Sequence, residues 1–383
     1  FLILINLTTS KPVMDIKYLF LWGVLLVLWV FTRLIKKSRG WHNFFIVIFS
    51  IFITLTLIET AYRFLLKKNA FTIKSNKNFG SYTKHPLTGF MIAEPGEMQV
   101  TKIARNGDTI FNTAYTLIAD SGMNSIAMNH RVAFKKNTSI DSGELVFLGC
   151  SITYGEGIHD HETFAYKTGE LCNTSSSNYG FSGYGTHQAY NIYLNKYRNS
   201  SDQKHRTFIY SFIPDHILRA KCIYPWNVND PYFELVKDSL VLKGVASENS
   251  GYAKVHKITR YLSLFNALTF ITDIETSIVA GKAARELQPG DYDLVFHMIS
   301  SMQRSILAKN DRLIFIYWDK YKWKEADDAK VLNRELIEQK IDTLRKEGVM
   351  VIKASEAFDT TNPAYFISGD GHPTAEANRL LAV

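Results

Sequence analysis

Hydrophobic and polar positions follow two different rhythms along this chain. Two uninterrupted apolar stretches come first, at 18–32 and 44–58, the second extending toward Leu66. Neither core contains a charge, and each carries aromatic residues near its ends, as membrane-crossing helices do. Adding Ile16 and residues 33–35 brings the first near spanning length. From 70 to 140 the chain is polar and turn-rich, with short alternating pieces at 99–103 and 108–112 that read as strands. Beyond Gly143, short apolar runs rich in β-branched and aromatic residues occupy 145–148, 207–213, 312–317 and 349–352. Helical spacing fills the gaps at 161–171, 187–197, 292–307 and 326–347. That alternation predicts a parallel sheet with helices on both faces. Residues 221–290 interrupt it with strand-like runs and an apolar helix near 262–274, and read as an insertion placed to roof a site. The expected organisation is therefore an extension at 1–15, two membrane helices at 16–68, a small β-rich region at 69–140 and an α/β domain at 141–383.

Charge adds an orientation. The 383 residues carry 44 Lys and Arg against 36 Asp and Glu, a formal excess of +8. No basic run interleaved with aromatics appears, so nucleic acid is not an expected partner. Arg33, Lys36, Lys37 and Arg39 lie between the two apolar stretches, and the positive-inside rule puts such a loop in the cytoplasm. The chain is then a two-pass inner-membrane protein with everything after residue 66 periplasmic, although Arg63, Lys67 and Lys68 pull against that bias. No small-residue cleavage site follows the first stretch, so a cleaved leader is not expected. Met14 precedes Asp-Ile-Lys and the first stretch and is an expected natural start. The helical pattern at the end of the sequence, 380–383, leads us to expect a further C-terminal piece.

The three cysteines, Cys150, Cys172 and Cys222, show no CxxC and no zinc or iron–sulfur spacing. Cys172 and Cys222 are the two an oxidising periplasm would join, whereas Cys150 reads as a small buried residue under a turn.

The chemistry concentrates in two segments. The apolar run 145–148 stops at Gly149, Ser151 follows, and Gly155 and Gly157 loosen the backbone beyond it. A serine at the carboxyl end of a buried strand stands where open α/β sheets bind ligands. It becomes a nucleophile only if a base and an oxyanion hole reach it. Ser368-Gly-Asp-Gly-His-Pro-Thr374 places a carboxylate and an imidazole two residues apart on a glycine-rich turn, ahead of a helical run at 375–382. His372 would face Ser151 while Asp370 orients its other nitrogen, a triad in the chain order Ser, Asp, His. Plainer roles exist for each: Ser151 as a helix cap, Asp370 as an acid at a helix start, His372 as a turn residue. His159, Asp160, His161 and Glu162 invite a metal reading, but adjacent side chains point apart, and a solvated helix start fits better. Trp318 and Asp319 follow the 312–317 run; they either line a pocket at the sheet's carboxyl end or are a core tryptophan beside a helix-capping acid.

Taken together, these segments resemble the SGNH/GDSL hydrolase family. Gly149-Cys-Ser-Ile-Thr-Tyr-Gly155 is similar to its first block, with Cys150 where an Asp often stands. Asn178-Tyr-Gly-Phe-Ser-Gly-Tyr-Gly-Thr-His-Gln188 is similar to the second, whose glycine gives an N–H to the oxyanion hole; Gly183 matches best and Gly180 second. Asp370-Gly-His372 is similar to the fifth, with the Asp two rather than three residues before the His. The third block should hold an Asn, yet Tyr210-Ser-Phe-Ile-Pro-Asp-His-Ile-Leu-Arg219 has none. Pro214 or Asp215 stands there; a carboxylate donates no hydrogen bond unless protonated, whereas His216 can donate, and it either replaces the Asn or binds Asp215 or a surface ligand. The resemblance implies a flavodoxin-like three-layer α/β sandwich over 143–383. It also implies a serine esterase with nucleophile Ser151, base Asp370–His372, an oxyanion hole from Ser151, Gly183 and His216, and no cofactor or metal. The implied substrate is an ester-bearing glycan or lipid of the cell envelope. Acyl transfer to a sugar, and a non-catalytic envelope scaffold or glycan-binding protein, are the alternatives.

Overall fold

The computed structural model describes residues 16–34, 39–62, 71–75, 82–92, 94–104, 106–120, 128–136, 143–200, 204–262, 278–279, 281–282, 286–319 and 332–382. The N-terminal extension, Lys36 and Lys37 of the basic loop, the turn at 121–126 and most of the apolar segment 262–274 lie outside these residues.

Two compact units are distinguished. One contains helices α1 (Ile16–Leu34) and α2 (Arg39–Ala61). Helix α2, with a mean hydropathy of 2.3 over its most apolar window, is long and apolar enough to cross a membrane. The apolar part of α1 that can be described, Trp22–Leu34, is shorter than a span. The expected pair of membrane helices is thus matched by one helix of spanning length.

The other unit is built on a nine-stranded sheet. Its strands are β1 (Thr72–Ser75), β4 (Gly96–Ile103), β5 (Thr109–Asp120), β6 (Met128–Arg131), β7 (Gly143–Leu148), β8 (Ser175–Asn178), β9 (His205–Phe212), β12 (Arg312–Tyr317) and β13 (Met350–Lys353). They lie in the order β1-β4-β5-β6-β8-β7-β9-β12-β13. Strands β2 (Tyr82–His85) with β3 (Gly89–Ile92), and β10 (Pro231–Val236) with β11 (Ser239–Val245), form separate antiparallel hairpins. The five strands from β8 to β13 run parallel, and the strands before them are antiparallel. Within the region expected to be small and β-rich, 69–140, strands β1, β4, β5 and β6 continue the central sheet, with β6 pairing β8 at Arg131↔Asn178.

The central strands are apolar without a break because both faces are buried. Val146 and Leu148 of β7, with Phe208, Tyr210 and Phe212 of β9, enter one core. Helices α5 (Thr186–Ile192), α9 (Pro289–Leu307) and α10 (Arg334–Lys346) supply the other half of that core. Helices α6 (His216–Ala220), α7 (Ala246–Asn249) and α8 (Gly251–Leu262) come between α5 and α9 in the chain. Leu145 and Phe147, with Ile209 and Ile316, enter a second core. There they meet α4 (Phe164–Leu171), α11 (Ala354–Ala357) and α12 (Ala375–Leu381). Strand β8, all Ser and Asn, escaped the hydrophobic reading. Its side chains replace apolar packing with hydrogen bonds: Ser176 Oγ donates to Ala165 O at 2.9 Å and Asn178 Nδ2 to Thr153 O at 2.8 Å. Helix 326–347 is seen from Arg334 to Lys346, and helix 187–197 becomes α5 followed by a π-turn at Tyr193–Tyr197.

In chain order the parallel strands are arranged second, first, third, fourth, fifth. The order reverses between β7 and β9, the switch point beyond whose carboxyl ends open α/β sheets bind ligands. Ser151 follows β7, and Pro214–His216 follow β9.

Candidate active site

Ser151 opens α3 (Ser151–Tyr154), one turn of helix directly beyond β7. Gly149 bends the chain into it with φ +152°; a Cβ there would sit 2.2 Å from Thr153 Oγ1, so only glycine fits. The turn closes as the N–H groups of Gly155 and Glu156 both donate to Ser151 O, at 2.9 and 3.1 Å. Arg131 of β6 clamps its far side. The guanidinium is fully buried and donates to the carbonyls of Tyr154, Gly155 and Ile158 and to Asp160 Oδ1. It also lies over the rings of Tyr115 and Tyr154. Asp160 further accepts from Thr116 N at 2.9 Å, and Glu162 accepts from His159 N at 2.8 Å. His159 Nδ1 accepts from Ala114 N at 3.3 Å, so three members of the His159–Glu162 group are committed to structure.

The second half of the site is the loop ahead of α12, where Thr374 caps the helix by accepting from Ala377 N. Inside that loop, His372 Nδ1 hydrogen-bonds Asp370 Oδ2. An ionised carboxylate only accepts, so Nδ1 carries the proton and Nε2 is the basic nitrogen. Asp370 Oδ1 is ion-paired with Lys102 of β4, both side chains being almost fully buried. Burial would push the Asp370 carboxyl up, but His372 and Lys102 hold it well below the usual carboxylate range.

His372 Nε2 faces Glu156 Oε2 at 3.8 Å. Glu156 thus joins the two halves: its N–H bonds Ser151 O and its carboxylate meets the histidine. Among the described residues no hydrogen bond joins Ser151 to His372. Catalytic hydrogen bonds of free enzymes commonly tighten only with substrate bound. Burial alone would lower the His372 pKa; the carboxylates of Glu156 and then Asp370 outweigh it and raise it above the ordinary value, against a smaller opposing effect of Lys102. A base must be neutral to act, so this rise moves the acid limb of activity upward. Glu156→Gln removes the strongest raising charge. The acid limb of kcat/KM for ester hydrolysis should then shift to lower pH. A limb that stays put or moves up contradicts this reading of the site.

Gly183 lies on the turn after β8 with φ +85°, a conformation that favours glycine. Among the described residues the N–H groups of Ser151 and Gly183 donate no hydrogen bond, leaving both available to an oxyanion. Gly180 differs: its N–H donates to Asn178 Oδ1 at 3.0 Å. The insertion places Trp226 beside Gly183, with indole Nε1 3.2 Å from where a Cβ would stand. Trp226 is exposed and stacks on Tyr224 at 4.5 Å. Asp230, also from the insertion, accepts from Gln188 Nε2 at 2.7 Å and Asn227 Nδ2 at 2.6 Å, and meets His187 Nε2 at 3.0 Å. This fully buried network fastens the insertion to α5, just past the glycine turn.

Of the other candidates, the Cys172–Cys222 pair is corrected, and Trp318 and Asp319 take the second of the two roles expected of them. His216 has no exposed surface; its Nδ1 bonds Tyr210 OH at 2.7 Å, and burial holds its pKa well below the ordinary value. Its Nε2 is buried and makes no hydrogen bond among the described residues. Asp215 accepts from Arg219 Nε at 2.6 Å and from Tyr224 OH, so it serves the loop's own structure. Trp318 is a core residue, 1% exposed, donating to Ser211 Oγ at 2.9 Å. Asp319 accepts from the N–H and Oγ of Ser355 at the start of α11, the capping role rather than a pocket wall. All three cysteines are free, Cys150 and Cys222 buried and Cys172 exposed, so the expected pair is not bonded.

Lys102, Glu156, Arg131 and Trp226 were not singled out by the sequence. Glu156 sat within the Gly155-Glu-Gly157 run; the other three carry no local signal.

No family model matches the sequence, and no curated protein does. Solved structures do. Its structural neighbours are GDSL lipolytic proteins and esterases. A lipolytic protein of the G-D-S-L family from Veillonella parvula is 14% identical with a TM-score of 0.37, covering 62% of this chain and 93% of its own. A GDSL-like lipase from Bacteroides thetaiotaomicron is 13% identical with a TM-score of 0.33, covering 65% and 88%. A catalytic mutant of an acetylxylan esterase from Geobacillus stearothermophilus is 10% identical with a TM-score of 0.35, covering 64% and 93%.

Proposed function

We propose that this protein is a membrane-anchored serine esterase on a flavodoxin-like three-layer sandwich, with Ser151, His372 and Asp370 as its triad. The observation that carries this reading is the Asp370–His372 hydrogen bond, which leaves Nε2 as the free base in a loop tied to the Ser151 turn by Glu156. Ser151 Oγ attacks the ester carbonyl as Nε2 takes its proton. The N–H groups of Ser151 and Gly183 hold the oxyanion. The imidazolium then returns the proton to the leaving alcohol, and a water activated by Nε2 hydrolyses the acyl-enzyme. The substrate class is an acyl ester of an envelope glycan or lipid, and transfer of the acyl group to a sugar hydroxyl differs only in the second acceptor. The basic residues between the apolar helices support a two-pass topology with the α/β domain outside the inner membrane.

A membrane-impermeant fluorophosphonate tests both parts. Added to intact spheroplasts, it should label Ser151. Labelling only after lysis would overturn the topology. No labelling in either sample would overturn the chemistry and favour a non-catalytic envelope scaffold or glycan-binding protein.

A further inference from the structure

The strongest unabsorbed feature of the site is a cation behind it. Lys102 belongs to β4, in the antiparallel part of the sheet and 268 residues from Asp370 in sequence. Its Nζ pairs with Asp370 Oδ1, with 8% of the Lys102 side chain exposed and none of the Asp370 side chain. Around Nζ stand the rings of Phe71, 4.0 Å from the centroid, and Phe111, 5.8 Å. The ammonium is thus enclosed by two aromatic faces and one carboxylate, and a buried charge so placed keeps its partner fixed. With Oδ1 held by Lys102, only Oδ2 is presented to His372 Nδ1, and the carboxylate cannot rotate without breaking a buried ion pair.

We propose that Lys102 is a positioning residue for ester hydrolysis: the antiparallel strands, through its ammonium, lock Asp370 in the rotamer that orients His372. This rests on the proposed triad. The strands preceding the parallel sheet then have a catalytic duty in addition to covering an edge. The charged groups facing His372 are Glu156 from the turn after α3, Asp370 from its own loop, and Lys102 from β4.

The test uses the full chain in detergent, with a short acyl ester as substrate. In Lys102→Met, kcat should fall roughly ten- to a hundred-fold while KM stays within about twofold, since positioning rather than binding is lost. The acid limb should move to higher pH, because the cation that restrains the His372 pKa is gone. Lys102→Arg should recover most of the turnover. In an Asp370→Asn background the same Lys102→Met change should alter kcat by less than about twofold, because the two act as one unit. The double variant removes both buried charges together, which spares it the unpaired charge that either single change leaves, and its kcat is set against that of the folded fraction of Asp370→Asn. A Lys102→Met enzyme with normal kcat and an unmoved acid limb overturns the proposal. So does a double variant that loses the further ten- to hundred-fold. If Ser151→Ala hydrolyses ester as fast as the parent, the triad itself fails, an outcome separate from either.

Discussion

Ser151→Ala should lower kcat for a short acyl ester by at least about a thousand-fold and leave the fold untouched. The side chain is only partly buried, at the mouth of the turn, and makes no hydrogen bond to His372 among the described residues, so its oxygen contributes little to packing. The backbone of the turn is held independently, by Gly149, by the N–H groups of Gly155 and Glu156 on Ser151 O, and by Arg131 on the carbonyls beyond. Loss of the oxygen removes the proposed nucleophile, while the proposed oxyanion donors and base remain. Thermal unfolding within a degree or two of the parent, with hydrolysis gone, is the expected pair of results. Hydrolysis at the parental rate would remove Ser151 as nucleophile.

Asp370→Asn has the second largest expected effect, about ten-thousand-fold in kcat. The amide can present its NH2 group to Nδ1, which favours the tautomer with the proton on Nε2, where it cannot take the serine proton. It also leaves the Lys102 ammonium buried without a counter-charge, a loss of roughly 3–5 kcal/mol. The sign with pH follows from the depressed Asp370 pKa. Its stabilising contribution is complete above the unfolded value of about 4 and declines as pH falls below it. The stability gap between parent and variant should accordingly be widest near neutrality and narrow in acid. Unfolding titrations at pH 7 and pH 3 check this. A gap that widens in acid contradicts the ion pair, and near-normal turnover in the folded fraction contradicts the triad.

The two results separate what is visible in a line of residues from what is not. The Ser151 turn and the acid–histidine loop were legible because each is local: a glycine, a serine and a buried strand within ten residues, and an acid two residues from a histidine before a helix cap. The parallel strands were legible because burial on both faces leaves unbroken apolar runs. Strand β8 was not, since its serines and asparagine satisfy themselves by hydrogen bonds that only the folded neighbours provide. The third block was harder to read for a related reason. A histidine after a strand looks available in sequence, yet His216 is sealed against Tyr210 and Phe212. Trp318 was ambiguous in sequence, and packing decided it for the core.

By itself, then, the order of residues determined the alternating α/β core, the apolar character of the N-terminal helices and the identity of the three residues proposed for the triad, because these depend on contacts within a few residues or on simple periodicity. Tertiary structure alone decided that β1 and β4–β6 continue the same sheet, that Lys102 stands behind Asp370, that Glu156 faces His372, and that Arg131 clamps the Ser151 turn. Each of the last three is a charge whose partner lies far away in sequence or across a turn. Such a charge tolerates burial only once folding has brought the partner to it, so no local pattern announces it.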